Sequence, residues 1–174
     1  GEFLAVIAAP PCSTFSISRH FAARDSQDGG PPVVRTRSHI RGLPNVPKKH
    51  RRELLAANAV IARMVALLSA GLAVGTQFII ENPADRGDAA HPRRFLDLEH
   101  GPLWLMPEMK ALRRLGTKEC TFPMCAFHAP WQKFTTLAYS AGFDEWLDPL
   151  NKLSCEHTSH AKSAGGTVSN GGAE

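Results

Sequence analysis

The chain lacks the features that would place it outside the cell or in a membrane. It has four cysteines, Cys12, Cys120, Cys125 and Cys155, in 174 residues, and their spacing is not that of a disulfide framework. The apolar run 4–9 is short and has no basic leader, which excludes a secretory signal there. No apolar stretch reaches the roughly 18 to 20 residues of a membrane span, so no membrane partner is expected. No segment repeats. These absences point to a reducing, intracellular compartment, cytoplasmic or nuclear. What remains is ordinary for one soluble domain with a real core: 43 % hydrophobic and 21 % charged residues,.

The net charge of +4 is mild, but it is unevenly placed. Arg35, Arg37, Arg41, Lys48, Lys49, Arg51 and Arg52 fall within eighteen residues, with His39 and His50 among them. Such a run is either a polyanion-binding footprint or a solvated loop and helix start.

Residues 4–9, Leu-Ala-Val-Ile-Ala-Ala, read as a buried strand. Residues 16–50, rich in Ser, Gly, Pro, Arg and His, read as a long mobile loop with a short helix near 17–24. Pro47 precedes an amphipathic helix over about 48–70, with Leu54, Ile61, Val65, Leu68 and Leu72 on one face. Asn58 lies on that face, where an apolar residue was expected; Gly71 and Gly75 end the helix. Gln77-Phe-Ile-Ile80 is the next buried strand. Strand, helix and strand make a βαβ unit with parallel strands and a right-handed crossover. A helix over 107–115 follows. Strand candidates at 120–127 and 135–140, expected as an antiparallel pair across Pro130-Trp131, come next, then a short helix within 143–153. The expected fold is α/β, a partial doubly wound, Rossmann-like sheet of the class I methyltransferase kind, with flanking helices and a long basic loop. It spans one domain, 4–160, followed by a disordered tail, 161–174.

Two motifs stand at strand ends, where open α/β sheets place their chemistry. Ala9-Pro10-Pro11-Cys12 closes the first strand, and Glu81-Asn82-Pro83 closes the second. The prolines take the chain abruptly out of the sheet and leave Cys12 at the strand's carboxyl end. A helix start near 13–16 would lower its pKa; the alternative is a structural cysteine in a turn. Glu81 sits at an apolar boundary, where partial burial would raise its pKa and let it donate a proton. The alternative is a salt-bridged or capping carboxylate.

Pro-Cys at one strand end and Glu-Asn at the next resemble the DNA cytosine 5-carbon methyltransferases. The resemblance implies that Cys12 attacks carbon 6 of a flipped-out cytosine. It implies that Glu81 engages ring nitrogen 3 and the amino group, and that carbon 5 accepts a methyl group from S-adenosylmethionine. Pro11, Asn82 and Pro83 would position these two. Arg19, Arg35, Arg37 and Arg41, on the loop that closes over DNA in that family, would contact phosphates or the groove. Trp131-Gln132-Lys133-Phe134-Thr135 is similar to the family's Gln-x-Arg-x-Arg element: Gln132 matches outright, and Lys133 keeps a cation at a different spacing. The layout as a whole looks closer to reduced, divergent methyltransferase-like proteins. Ser13 and Pro83 depart from the family's usual Gln and Val. The Gly-rich turn and acidic residue that bind S-adenosylmethionine do not occur before Leu4; the resemblance therefore implies a cofactor half that is lost, lies outside this stretch of sequence, or is supplied by a second chain or domain. The amino-methylating enzymes also use a Pro-Pro strand end, but Ala9 cannot hydrogen-bond an amino group.

A second constellation, Cys120, Cys125, His128, Cys155, His157 and His160, offers ligands for tetrahedral zinc. Cys125, His128, Cys155 and His157 or His160 would close one site; the alternative is core cysteines and histidines on a polar tail. Trp104, Trp131 and Trp146 read as core or rim aromatics, with Trp131, beside Lys133, a candidate for nucleic-acid contact. Two other functions remain open: a non-catalytic nucleic-acid-binding remnant and a zinc-stabilised interaction module.

Overall fold

A computed structural model describes residues 4–20, 31–88 and 96–160. The chain is a mixed α/β structure with a four-stranded sheet. The strands are β1 (Ala5–Ala8), β2 (Gln77–Pro83), β3 (Lys118–Pro123) and β4 (Phe134–Tyr139), and the sheet order is β1-β2-β4-β3. Helix α1 (Lys48–Ala73) connects β1 to β2, which pair in parallel from Ala5↔Gln77 to Ala8↔Ile80. Strand β4 runs antiparallel to both β2 and β3, so β1, β2 and β3 share one direction. The expected βαβ unit and antiparallel pair are both present. Placing β4 between β2 and β3 is a long-range choice that local periodicity does not encode.

Helix α1 forms because Leu54, Ala57, Ile61, Val65 and Leu68 recur at helical spacing and share a buried stripe,. It runs through Gly71 to Ala73, beyond the expected end, and the turn is made instead at Gly75, whose φ of +88° favours glycine,. The stripe packs on Phe78, Ile80 and Ala138 of the sheet, together with Leu103, Trp104 and Met106. Met109 and Leu112 of helix α2 (Pro107–Arg114) complete this layer. The opposite sheet face buries Cys120, Phe122 and Tyr139 beneath Phe143, Leu147, Leu150 and Leu153. The last four come from a run of short helical turns, α3 (Asp144–Leu147) among them.

Several expectations are corrected. The first strand is not buried: among the described residues β1 pairs only with β2, and Leu4 and Ile7 are 84 % and 77 % exposed. An edge strand has one neighbour to cover it instead of two. The strand candidate at 120–127 does not run on to Phe127, because Pro123 ends β3 and a 3-10 turn, Met124–Phe127, follows. The basic loop is not loose over residues 31–47: Val34 and Val46 pack on Leu54, and Thr36 bridges His100. Residues 18–20 are helical, while the rest of the expected helix and the tail 161–174 lie outside the described residues. Helix α1 does pass a length-and-composition test for a membrane span, at a mean hydropathy of 1.8. Its alanines raise the average, and its larger buried side chains are those packed on the sheet.

The two faces of α1 separate energetically. Ile61→Ala should destabilise the protein by about 2–5 kcal/mol, because it opens a cavity against Phe78 and Ile80. Leu67→Ala, at a side chain 73 % exposed, should stay within about 0.5 kcal/mol. Urea unfolding of the two variants checks the difference.

Candidate functional site

The carboxyl ends of β1 and β2 lie side by side because the strands are parallel neighbours in register. The chain leaves both ends through prolines, which cannot donate to a sheet ladder. The side-chain amide of Asn82, fully buried, donates to the carbonyl oxygen of Pro10 at 3.1 Å. One hydrogen bond thus ties the Pro-Pro-Cys turn to Glu81-Asn82-Pro83, which forms the last three residues of β2, paired with β4, and not a turn after it. The latter is held from behind by the Trp104 indole, which donates to the Pro83 carbonyl at 2.7 Å. Trp104 is accordingly a core residue.

The Cys12 thiol is exposed. A turn closed by the Phe15 N–H on the Cys12 carbonyl, at 2.9 Å, follows it. Helical backbone begins only at residue 18, so no helix N-terminus points at the thiol as expected. Each of the next three residues is fastened. The Ser13 hydroxyl donates to Glu53, and the Ser13 carbonyl accepts from Arg19. The Thr14 hydroxyl accepts from Arg35 at 2.8 Å. The Phe15 carbonyl lies 2.8 Å from Nε2 of His100.

Two of the arginines expected at phosphates are therefore structural. Arg19 is buried in a two-pronged contact with the Glu53 carboxylate, at 2.8 and 2.7 Å. Arg35 is 1 % exposed. It donates to the Ile40 carbonyl, the Asn58 side-chain oxygen and Thr14, and its guanidinium stacks 3.8 Å from the Phe15 ring centroid. Burial and the nearby Arg19 charge lower its pKa to about 10, against an opposing pull from Glu53, so it stays charged at neutral pH. Burial would raise the Glu53 carboxyl, but hydrogen bonds from Ser13 and Arg19 outweigh it and hold the group below the usual range. Arg37 pairs with Asp85 at 2.6 Å, and Arg41, exposed, pairs with Glu108 at 2.8 Å. The polar Asn58 on an otherwise apolar helix face was the local trace of this network. Glu53 and His100 left no comparable sign.

Glu81 is half-buried, and its carboxylate lies 3.6 Å from the Lys133 ammonium. Lys133 arrives there because the Met124 N–H bonds its carbonyl and the Ala84 N–H bonds that of Phe134. Gln132 lies beside the Cys155 thiol. Trp131 is partly exposed at the same hairpin. Exposed cations remain beside the site. Lys48, Lys49, Arg51 and Arg52 occupy the first two turns of α1, and Glu53 of that segment bonds Ser13. No acidic residue lies in the first turn, so the helix dipole and the four cations oppose one another.

The Cys/His constellation gathers differently from its expected membership. Cys125, Cys155, His157 and His160 place their ligand atoms within 4.8 Å of one another, and this cluster could hold a metal. Cys155 Sγ lies 3.3 Å from Nε2 of His160 and 3.8 Å from Nδ1 of His157. His128 is not a member; it is exposed, with a left-handed backbone (φ 63°) that closes the 3-10 turn. Cys120 is buried on the other sheet face.

S-adenosylmethionine finds no cradle among these groups. Both strand ends carry prolines where a Gly-rich turn would offer N–H donors and close backbone approach. The cavity at residues 144–152, about 280 Å³, is an open groove lined by Asp144, Glu145, Asp148, Pro149 and Lys152. The described residues do not fit this cofactor. No protein-family model, curated protein or solved structure matches the chain.

His100 gives the site a pH dependence. Burial is the main cause of its fall to about pKa 4, against opposing pulls from Phe15, Asp85 and Asp97, and His20 adds to the lowering. Its Nδ1 accepts the Arg86 N–H at 3.0 Å, so the neutral ring carries its proton on Nε2. An unfolded histidine titrates near 6.5. The stability held by neutral His100 is therefore complete above about pH 6.5 and declines as the pH drops towards 4. The total is about 3 kcal/mol. Unfolding measured between pH 8 and 4 should show this slope, and His100→Gln should flatten it.

Proposed function

We propose that this chain carries the cytosine-attacking centre of a DNA cytosine methyltransferase-like protein. The observation behind this reading is the pair of strand ends: an exposed thiol and a half-buried carboxylate on neighbouring parallel strands, tied by the Asn82–Pro10 hydrogen bond. A pyrimidine lying across the two ends would meet a nucleophile on one side and a hydrogen-bonding acid on the other.

In this reading the Cys12 thiolate adds to carbon 6 of a flipped cytosine. The electrons of the C5–C6 double bond move to carbon 5 and into the ring. Glu81 gives a proton to ring nitrogen 3 and accepts from the amino group, while the Lys133 ammonium offsets the carboxylate charge that results. The methyl donor of the resembled family is S-adenosylmethionine, which would be held by a second chain or domain. DNA is the proposed partner, with Lys48, Lys49, Arg51 and Arg52 as the phosphate-binding cations in place of the buried Arg19 and Arg35.

Duplexes with 2-pyrimidinone at one position, an electron-poor cytosine analogue, and random flanks test the nucleophile without a methyl donor. The expected result is a covalent adduct mapped to Cys12 and absent from Cys12→Ser. A folded protein that binds these duplexes and forms no adduct would instead be a nucleic-acid-binding remnant. Replacing Lys48, Lys49, Arg51 and Arg52 with alanine should weaken DNA binding at low salt. It should also make the log-affinity against log-salt slope shallower by up to about 3 to 4. An unchanged slope would place the phosphates elsewhere.

A further inference from the structure

We propose that Cys125, Cys155, His157 and His160 bind one structural zinc ion that braces the hairpin carrying Lys133. Zinc–sulfur bonds of about 2.3 Å and zinc–nitrogen bonds of about 2.0–2.1 Å require ligand atoms about 3.3–3.8 Å apart in a tetrahedron. The measured separations of Cys155 Sγ from the two imidazole nitrogens, 3.3 and 3.8 Å, fall in that range. All four ligand atoms lie within 4.8 Å, so small side-chain shifts would complete the site. His157 would coordinate through Nδ1 and His160 through Nε2. Two thiolates and two imidazoles suit zinc and disfavour the oxygen-seeking magnesium and calcium. Four protein ligands leave no open position, which makes the site structural rather than catalytic.

The placement of the ligands gives the ion its task. Residues 153–160 form neither helix nor strand, yet Cys155 is buried against Cys125, Ala84 and Phe134. An ion joining three ligands from this segment to Cys125 would hold it there with few other contacts. Cys125 lies in the turn after β3, and the Met124 N–H bonds the Lys133 carbonyl at 2.8 Å. Ala84 directly follows β2, whose last residues are Glu81-Asn82-Pro83, and its N–H bonds the Phe134 carbonyl. Metal binding thereby stiffens both strands of chain that bring Lys133 to Glu81. The ligand set itself is independent of any cytosine chemistry, so zinc can be present whether or not Cys12 reacts.

Elemental analysis of the full chain, purified under reducing conditions without chelator, should give one zinc per molecule. Cobalt substitution should give the visible absorption of a tetrahedral site with thiolate ligands. His157 is exposed, so His157→Ala leaves the core packing in place and should bind zinc at least tenfold more weakly. His128→Ala should bind it unchanged. Chelation should lower the melting temperature, and added zinc should restore it. A folded, reduced protein that is metal-free and takes up neither zinc nor cobalt would overturn the site. So would a Cys125–Cys155 disulfide in the native protein, or equal loss of zinc in the His128 and His157 variants.

Discussion

The structure turns on a buried guanidinium. Arg35 is 1 % exposed, and a charge taken that far from water needs most of its donors used; both terminal nitrogens are bonded, while Nε has no partner among the described residues. The partners come from separate parts of the chain: Thr14 after β1, Ile40 in the loop, Asn58 on α1, and the Phe15 ring beneath it. Arg19 repeats the arrangement beside it, joining Glu53 of α1 to the Ser13 and Pro32 carbonyls. The basic segment is therefore a strut between the first strand's exit and the first helix. Arg19 and Arg35 are part of the core, and the turn that presents Cys12 is fastened to them.

A second constraint acts at the strand ends. Parallel pairing of β1 and β2 brings both exits to the same edge of the sheet. The prolines prevent either strand from continuing, and Asn82 uses its side chain to bond the Pro10 carbonyl. The result is an exposed thiol and a half-buried carboxylate at one edge of the sheet. Lys133 reaches Glu81 through the hairpin between β3 and β4. The same hairpin, through Cys125 and Gln132, touches the Cys/His cluster. The strand-end edge and the Cys/His cluster are thus both reached by one short piece of chain.

Helical and strand periodicity were legible where a single face is buried. The stripe from Leu54 to Leu68, the apolar run of β2 and the Pro107 helix start all appear locally, and all three elements formed. The first strand was misread because an apolar run does not say how many neighbours it has. Leu4 and Ile7 are apolar and exposed on an edge strand. The arginines were misread for a related reason: charge in a sequence says nothing of burial, and Arg35 looks no different from Arg41. Asn58 was the one residue whose local misfit announced the network it serves.

The sequence by itself determined the elements, the two strand-end motifs and the supply of soft ligands near the C-terminus. These depend on periodicity, on proline's missing donor and on residue type, all properties of neighbours along the chain. Only the tertiary structure decided that β4 lies between β2 and β3, that Arg19 and Arg35 face inward, and that Lys133 meets Glu81. It also decided that His160 replaces His128 beside the two cysteines. Each of these joins residues that are remote in sequence, and such contacts are selected by burial and hydrogen-bond satisfaction over the whole fold, which no local window contains.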